Sequence, residues 1–264
     1  MKKVLTIAGS DSSGGAGIQA DLKTFAAYGV YGMSVITALT AQNTTGVQAV
    51  LDVPPDFVAE QLASVFEDIR PDAVKIGMLS SAVIVEELAK ALKAYQVDNI
   101  VLDPVMGATS GSSLIKGEAV EAMETALFPM AAVITPNLRE AEVLAKRPVP
   151  SKAAMAEAAQ EIAQDYGCAV LIKRAEGAPD ADDYLYADGR GLWVEGARID
   201  NPNTHGTGCT LSSAIAAGLA QGLALEAAVQ KAKAYIDGAI RVGLDLGKGR
   251  GPLHHGYRQF PEIN

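Results

Sequence analysis

Two glycines and a cysteine at the start of an alanine-rich stretch form the most chemically suggestive segment of the chain. The run reads Asn203-Thr204-His205-Gly206-Thr207-Gly208-Cys209-Thr210, and the helical pattern begins within it. Helix N-termini present unpaired backbone N–H groups, and small residues let a ligand approach them closely. In phosphoryl transfer, such amides stabilise the charge that spreads over the phosphate oxygens. An anion hole is therefore predicted at Gly206, Thr207, Gly208 and Cys209.

Cys209 is also a candidate for the group that accepts a proton from a substrate hydroxyl. A helix N-terminus favours the thiolate. Lowering a thiol pKa from about 8.5 to about 7 takes ~2 kcal/mol, the top of what a helix dipole supplies, and a nearby phosphate opposes the shift. A late proton transfer in a loose transition state needs little base strength. The alternative is an inert packed thiol, which is our interpretation of Cys168.

A second glycine-rich run, residues 9–17, follows the first predicted strand, and Asp21 comes soon after it. Its small residues would let backbone amides and a helix N-terminus approach a ligand, although a tight turn between strand and helix has the same composition. The run is not a P-loop, because the chain contains no G-x-x-x-x-G-K-[ST] pattern. Any ATP must therefore be held by a different phosphate cradle.

Acidic and amide side chains follow two further predicted strands. Asp103 ends one strand, and Asn137 and Glu140 stand three residues apart at a predicted helix start. Their hard oxygen atoms are suited to Mg²⁺ and its waters. The alternative for Asn137 and Glu140 is a helix cap and a surface acid.

Short apolar runs alternate with amphipathic stretches along most of the chain. The runs predict buried strands at 4–8, 34–39, 73–76, 99–102, 132–134 and 169–172. The stretches predict helices at 18–28, 56–69, 82–95, 117–126, 138–145, 152–166, 209–221 and 225–242. Residues 184–186 and 192–195 flank a turn signal at 188–191 and predict an antiparallel hairpin. The expected fold is an α/β sandwich of three layers, with a mostly parallel sheet and an antiparallel edge.

The bulk composition narrows the class of partner. With 264 residues and 49% apolar residues, we expect one globular domain, 1–264. The formal charge of −9 argues against nucleic acid and anionic membranes, which favours a small-molecule partner. The first apolar run is too short for a signal peptide or a membrane span, and the two cysteines and three histidines show no zinc spacing. These features predict a cytoplasmic protein without a structural metal.

Six ordered motifs together resemble the bacterial hydroxymethylpyrimidine/phosphomethylpyrimidine kinases of the ribokinase superfamily. They lie at 8–21, 41–44, 75–79, 103–106, 134–140 and 205–210, and the resemblance runs over about residues 4 to 256. It implies a ribokinase-like fold, a homodimer, and two ATP-dependent phosphorylations on the route to thiamin. The first would act on 4-amino-5-hydroxymethyl-2-methylpyrimidine and the second on its monophosphate, with Mg²⁺.

The resemblance also implies roles for individual residues. Around the pyrimidine it places Gly9, Ala16, Asp21, Gln42, Met78, Val105 and Cys209, with Gln42 hydrogen-bonding the ring edge and Met78 packing on its face. Cys209 takes the position of the catalytic base. ATP and its metal would be met by Asp103, Asn137, Glu140, Lys173 and Thr207. Members of the family often continue after the lysine with two glycines and a histidine, whereas this chain has Arg174-Ala175-Glu176-Gly177.

Three other functions compete with this one. A pyridoxal or pyridoxine kinase, or an enzyme with both activities, would use the same cysteine, although Gln42 and the Lys75-Ile76-Gly77-Met78 motif favour the pyrimidine. A dinucleotide-dependent oxidoreductase is disfavoured because Gly15-Ala16-Gly17 is a weak fingerprint and no acidic residue stands near Leu39 to bind a ribose. A pyrimidine-binding protein without catalysis would leave the anion hole idle.

Overall fold

The computed structural model describes residues 1–107, 117–174, 181–242 and 244–260. The strands are β1 Lys3–Ala8, β2 Tyr31–Ile36, β3 Ala38–Asn43, β4 Gly46–Asp52, β5 Ala73–Ile76, β6 Ile100–Leu102, β7 Val133–Ile134, β8 Ala169–Ile172, β9 Asp183–Ala187 and β10 Arg190–Val194. The helices are α1 Gly17–Ala27, α2 Pro55–Phe66, α3 Ala82–Ala94, α4 Gly117–Ala122, α5 Leu138–Leu144, α6 Lys152–Tyr166, α7 Thr207–Ala220 and α8 Leu225–Val242. A π-helical turn, Met123–Leu127, extends α4.

Eight strands form one sheet in the order β10-β9-β8-β7-β6-β5-β1-β2. All pairs from β2 to β8 are parallel, whereas β9 runs antiparallel to both β8 and β10. The predicted α/β class with an antiparallel edge is confirmed. The hairpin turns at Asp188 and Gly189, both with positive φ, as a two-residue turn that follows the sheet twist requires.

The strand side chains alternate between two apolar layers. Leu5 and Ile7 of β1 face a core built with α2 to α6, whereas Val4 faces a second core built with α1, α7 and α8. Because both faces are covered, the strands are apolar at nearly every position. Helix α7 belongs to the more deeply enclosed layer, and its alanines allow close approach to the sheet. This packing fixes its N-terminus at the carboxyl end of the strands.

The prediction of one strand over 34–39 is wrong in one respect, because the chain leaves the main sheet at Thr37. The buried Thr37 side chain donates to the Met78 carbonyl at 3.0 Å, and β3 then pairs with β4 in a separate two-stranded sheet. Strand β4 had no strong apolar signal, since most of its residues are exposed. In the described part of the chain, no helix is both long enough and apolar enough to cross a bilayer.

Candidate active site

Helix α7 begins with an uncapped N-terminus at the carboxyl end of the sheet. Its cap residue is Gly206, which has φ 84° and supplies no side chain to the first amides. A Cβ at Gly206 would also collide with the Gly15 carbonyl oxygen, so only glycine allows the two predicted loops to meet. Thr207, Gly208 and Cys209 follow and are partly exposed. The first turn of α7 therefore has no side-chain cap, as the predicted anion hole requires.

A lysine and a carboxylate face this turn. Lys173 Nζ donates to Asp103 Oδ1 at 2.6 Å, and Thr135 Oγ1 donates to the same oxygen at 3.1 Å. A Cβ built on Gly208 would lie 3.3 Å from both Asp103 Oδ2 and Lys173 Nζ. Burial alone would lower the pKa of Lys173, but the charge of Asp103 outweighs it and holds that pKa above its ordinary value. A cation therefore stands beside the helix amides.

Asn137 and Glu140 form the capping box at the start of α5. Glu140 N donates to Asn137 Oδ1 at 3.0 Å, and Asn137 N donates to Glu140 Oε2 at 2.8 Å. The other Glu140 oxygen accepts from Met106 N at 3.2 Å. Glu140 is thus a buried acid and not a surface acid. Burial raises its pKa to about 7, against the opposing charge of Lys173.

These carboxylates bear on the predicted magnesium site. Among the described residues, no group of three or more His, Cys, Asp or Glu side chains could hold a metal. The residues still fit an ion that is held mainly by phosphate oxygens and water, the usual arrangement for Mg²⁺ with a nucleotide. Asp103 is 2% exposed, and its Oδ2 is the carboxylate oxygen that faces the α7 turn.

Cys209 lies partly exposed in the first turn of α7, and the Gly17 amide donates to its sulfur. Burial raises the pKa of this thiol; Lys75 and the Gly17 amide oppose the rise, whereas Asp21 and Asp103 add to it. The expectation that the helix terminus favours the thiolate is therefore outweighed in the resting protein. The Gly17 amide nevertheless places the sulfur against the end of the glycine-rich loop.

Most of the predicted pyrimidine residues lie in or beside the glycine-rich loop. A Cβ on Gly9 would lie 2.7 Å from Met78 Cε, so Met78 covers the start of the loop. Ala16 packs beside Gly206, and Gln42 Nε2 lies 3.4 Å from His205 Nε2. Val105 is partly exposed in the turn that follows Asp103.

Asp21, another predicted pyrimidine residue, lies deeper than the others, in the interior of the protein. It is 0% exposed, and its carboxylate accepts from Lys75 Nζ at 2.9 and 3.0 Å, Thr6 Oγ1 at 2.6 Å and Ser213 Oγ at 2.6 Å. Direct contact with a pyrimidine would require this network to open. Its predicted place against the ring stays a prediction, while the structure places it beneath the loop.

Sequence reasoning missed Asp11 and His205. Asp11 is 1% exposed, and its carboxylate accepts from the amides of Ser13, Gly15 and Ala16. His205 Nε2 also lies 2.8 Å from Asp11 Oδ2, which joins the glycine-rich loop to the α7 turn. The signal was an aspartate two residues before a serine in a glycine-rich loop, a pattern typical of side-chain-to-backbone turns.

The comparisons with known proteins settle the family. A profile of the family described as phosphomethylpyrimidine kinase matches residues 11–254. The chain belongs to this family. Among related members, the hydroxymethylpyrimidine/phosphomethylpyrimidine kinase of Rhizobium meliloti is 50% identical over 262 residues, which cover 98% of each chain. The thiamine biosynthesis bifunctional protein ThiED of Geobacter sulfurreducens is 49% identical over 96% of this chain and 52% of its own length.

Solved structures agree with the fold of this phosphomethylpyrimidine kinase family member. The ADP complex of Bacillus subtilis pyridoxal kinase has a TM-score of 0.90 and 39% identity, covering 98% of this chain and 99% of its own. The ribokinase-like fold expected from the sequence is confirmed. The segment after Lys173 departs from the family pattern, and its residues 175–177 lie outside the described residues, as does Gly243 at the start of the tail. Arg174 is described, and its amide donates to Asp183 Oδ1 at 2.9 Å.

Proposed function

We propose that the protein transfers the γ-phosphate of ATP to the hydroxymethyl group of 4-amino-5-hydroxymethyl-2-methylpyrimidine, and then a second phosphate to the monophosphate, in thiamin biosynthesis. Family membership supports the kinase activity and the pyrimidine substrate. The observation that carries the mechanism is the convergence of Cys209, the uncapped α7 amides and Lys173 at one end of the sheet.

In the first transfer, Cys209 accepts the hydroxyl proton from the substrate. The freed oxygen forms a bond to the γ-phosphorus, and the bridging oxygen leaves on ADP with the electron pair of the broken bond. The α7 amides and the Lys173 ammonium stabilise the charge on the transferring group. Mg²⁺ bound with the nucleotide would neutralise phosphate charge, with Asp103 and Glu140 as the protein carboxylates nearest to it.

The resting thiol must lose its own proton before it can act as the base. Because the pKa of Cys209 is raised, the thiolate fraction grows as the pH rises through the alkaline range. We therefore expect kcat to increase with pH until the thiol is ionised, and a pH–rate profile with saturating substrates measures this. A profile that falls over the same range would contradict a thiolate base.

The substrate is decided by a side-by-side assay. ADP release is coupled to a spectroscopic readout with either the pyrimidine alcohol or pyridoxine as acceptor. We expect kcat/KM to be higher for the pyrimidine, because Gln42, whose amide lies 3.4 Å from His205 beside the α7 turn, can hydrogen-bond a pyrimidine ring edge. Higher kcat/KM with pyridoxine would favour the vitamin B6 kinase instead. Family membership leaves the oxidoreductase and the non-catalytic binding protein without support.

We also propose a homodimer formed through the exposed face of the β3–β4 sheet. Leu39 pairs with Leu51 and Ala41 with Ala49 across the two strands, and Leu39 and Leu51 are 45% and 66% exposed. Exposed apolar faces of this kind are typical of interaction surfaces. The Leu51→Lys variant should sediment as a monomer and Val143→Lys, at an exposed α5 position, as a dimer. A monomeric parent protein would contradict the proposal.

A further inference from the structure

A lysine and an aspartate form an ion pair that is wholly enclosed beneath the candidate active site. Both side chains of the Lys75–Asp21 pair are 0% exposed, and the nitrogen lies 2.9 Å from the nearer oxygen. Thr6 and Ser213 donate to the same carboxylate. Burial alone would lower the pKa of Lys75, but the charge of Asp21 outweighs it, so the lysine stays protonated.

Stability does not explain such a pair. Removing two charges from water costs several kcal/mol per ion, and well-packed apolar replacements of a buried pair are often neutral or stabilising. Lys75 also interrupts a strand whose other residues are Ala73, Val74 and Ile76. A Cβ on Gly77 would lie 2.7 Å from Lys75 Nζ, so residue 77 has to be small for the ammonium group to fit. The strand therefore holds a buried lysine whose removal from water costs free energy.

The pair lies under the catalytic turn. Ser213 follows Cys209 by four residues, so the two side chains share one face of α7. Ser213 Oγ is 2.6 Å from Asp21 Oδ1, which places the carboxylate directly below that face. The chain continues from Lys75 through Gly77 to Met78, which packs against Gly9 at the substrate opening. The ion pair therefore lies next to the α7 face that carries Cys209, and its lysine comes three residues before Met78.

Four charged groups act on the Cys209 sulfur from the elements around it. Lys75 of β5 and Lys173 after β8 favour the thiolate, and Asp21 of α1 and Asp103 after β6 oppose it. Lys173 and Asp103 are bonded to each other at 2.6 Å and face the helix turn. Lys75 and Asp21 are a second such couple, and the Ser213 hydrogen bond joins its carboxylate to α7 one turn after Cys209. In each couple the cation favours the Cys209 thiolate and the anion opposes it.

We propose that the Lys75–Asp21 pair is a positioning pair for Cys209, in which the Lys75 ammonium stabilises the thiolate and Asp21 keeps that ammonium charged and in place. The inference deepens the proposed function, because it rests on Cys209 being the base. Neither residue needs to touch substrate or nucleotide. Their influence reaches the reaction through the sulfur alone.

The test is the pH dependence of Cys209 alkylation in a Cys168→Ala background, where Cys209 is the single thiol. Iodoacetamide reacts with the thiolate, so the rate against pH reports its ionisation without ATP or magnesium. Lys75→Met should move the midpoint upward by about one pH unit or more, since an opposite charge nearby is lost. Asp21→Asn should also move it upward, because the buried Lys75 loses the charge that keeps it protonated and the thiolate loses its cation.

Upward shifts are what loosened packing cannot produce, because a more exposed thiol has a lower pKa. Unchanged or lowered midpoints in folded variants would overturn the inference. If Lys75→Met does not fold, Asp21→Asn decides alone, because its upward shift is opposite to the effect of loosened packing. Turnover separates this inference from the kinase proposal: full activity of Cys209→Ala would refute the base, whereas normal kinase activity with unshifted midpoints would refute only the positioning pair.

Discussion

The two cysteines lie at opposite ends of the same parallel sheet, and their surroundings differ in kind. Cys209, at the carboxyl end, has helix amides, two lysines and two aspartates around it. Cys168, at the amino end, borders a cavity of about 520 Å³ lined largely by alanine, glycine and backbone. Burial is the cause that raises the pKa of Cys168 to about 12. The amino end holds this cavity but not the paired charges found around Cys209.

This contrast shows that paired opposite charges mark the candidate site. Parallel strands bring their following loops together at the carboxyl end. The loops there carry Asp11, Asp103 and Lys173, each buried or nearly so and each bonded to a partner. Such groups cost free energy to bury, so their concentration at one end is the feature that needs a functional reason.

Exchanging each cysteine for alanine tests the contrast with the largest expected effect. Cys209→Ala should lower kcat by about 10² or more, because the proton acceptor is removed, with a smaller change in pyrimidine binding. Cys168→Ala should leave kcat close to that of the parent protein. Steady-state kinetics and calorimetric titration measure the two quantities. Near-normal turnover of Cys209→Ala would refute the base assignment.

Enlarging a small residue at each end of the sheet should have the next largest effect on activity. In Gly208→Val the new Cβ would stand 3.3 Å from Lys173 Nζ and its methyl groups would cover the amides, so kcat/KM should fall about 10²-fold. Ala132→Val at the amino end adds similar volume at an exposed position and should have little effect. Circular dichroism checks folding. A folded Gly208→Val enzyme with retained activity would count against the anion hole.

Neutralising one aspartate at each end should change stability by a smaller amount. Burial alone would raise the pKa of Asp11, but hydrogen bonds from His205, Ser13 and Ala16 outweigh it and hold the pKa below its ordinary value. Asp11→Asn should lower the free energy of unfolding at pH 7 by about 1–3 kcal/mol. Asp188→Asn, at an exposed turn with positive φ, should be nearly neutral.

The sign of the pH dependence follows from that depressed pKa. An aspartate with a lowered folded pKa stabilises the protein above its unfolded pKa, and this stabilisation is lost as the pH falls. The difference between the parent protein and Asp11→Asn should therefore shrink as the pH is lowered from about 5. Denaturant titrations at several pH values measure it. A difference that stays constant down to acidic pH would contradict a charged Asp11.

Much of the fold could be predicted from the sequence. Buried strands β5 and β8 and helices α6 and α8 have the predicted bounds, because each is a long or strongly apolar pattern with clear caps. The split at Thr37 could not be predicted, since it depends on a side-chain bond to the Met78 carbonyl far along the chain. Strand β4 was missed although Val47, Ala49 and Leu51 alternate along it, because it lies in a small exposed sheet and not in the core.

The sequence predicted which residues belong to the candidate site better than it predicted how they are arranged. Spacing alone identified the α7 turn, whereas the Asn137 and Glu140 pairing showed itself as a capping box only in three dimensions. Lys75 and Asp21 lie 54 residues apart in the sequence, and nothing local indicates that they form an ion pair. The available signal was Lys75, a single charged residue in a predicted strand that is otherwise apolar. Long-range pairing of this kind requires the fold.

The central claim is that the Cys209 sulfur stands beside the substrate hydroxyl while the α7 amides face the γ-phosphate. A crystal structure with the pyrimidine alcohol and a non-hydrolysable ATP analogue measures both contacts directly. We predict the hydroxyl oxygen within hydrogen-bonding distance of Cys209 Sγ and a terminal phosphate oxygen on the amides of Gly208 and Cys209. A hydroxyl directed away from the sulfur, or a phosphate bound elsewhere, would contradict the account.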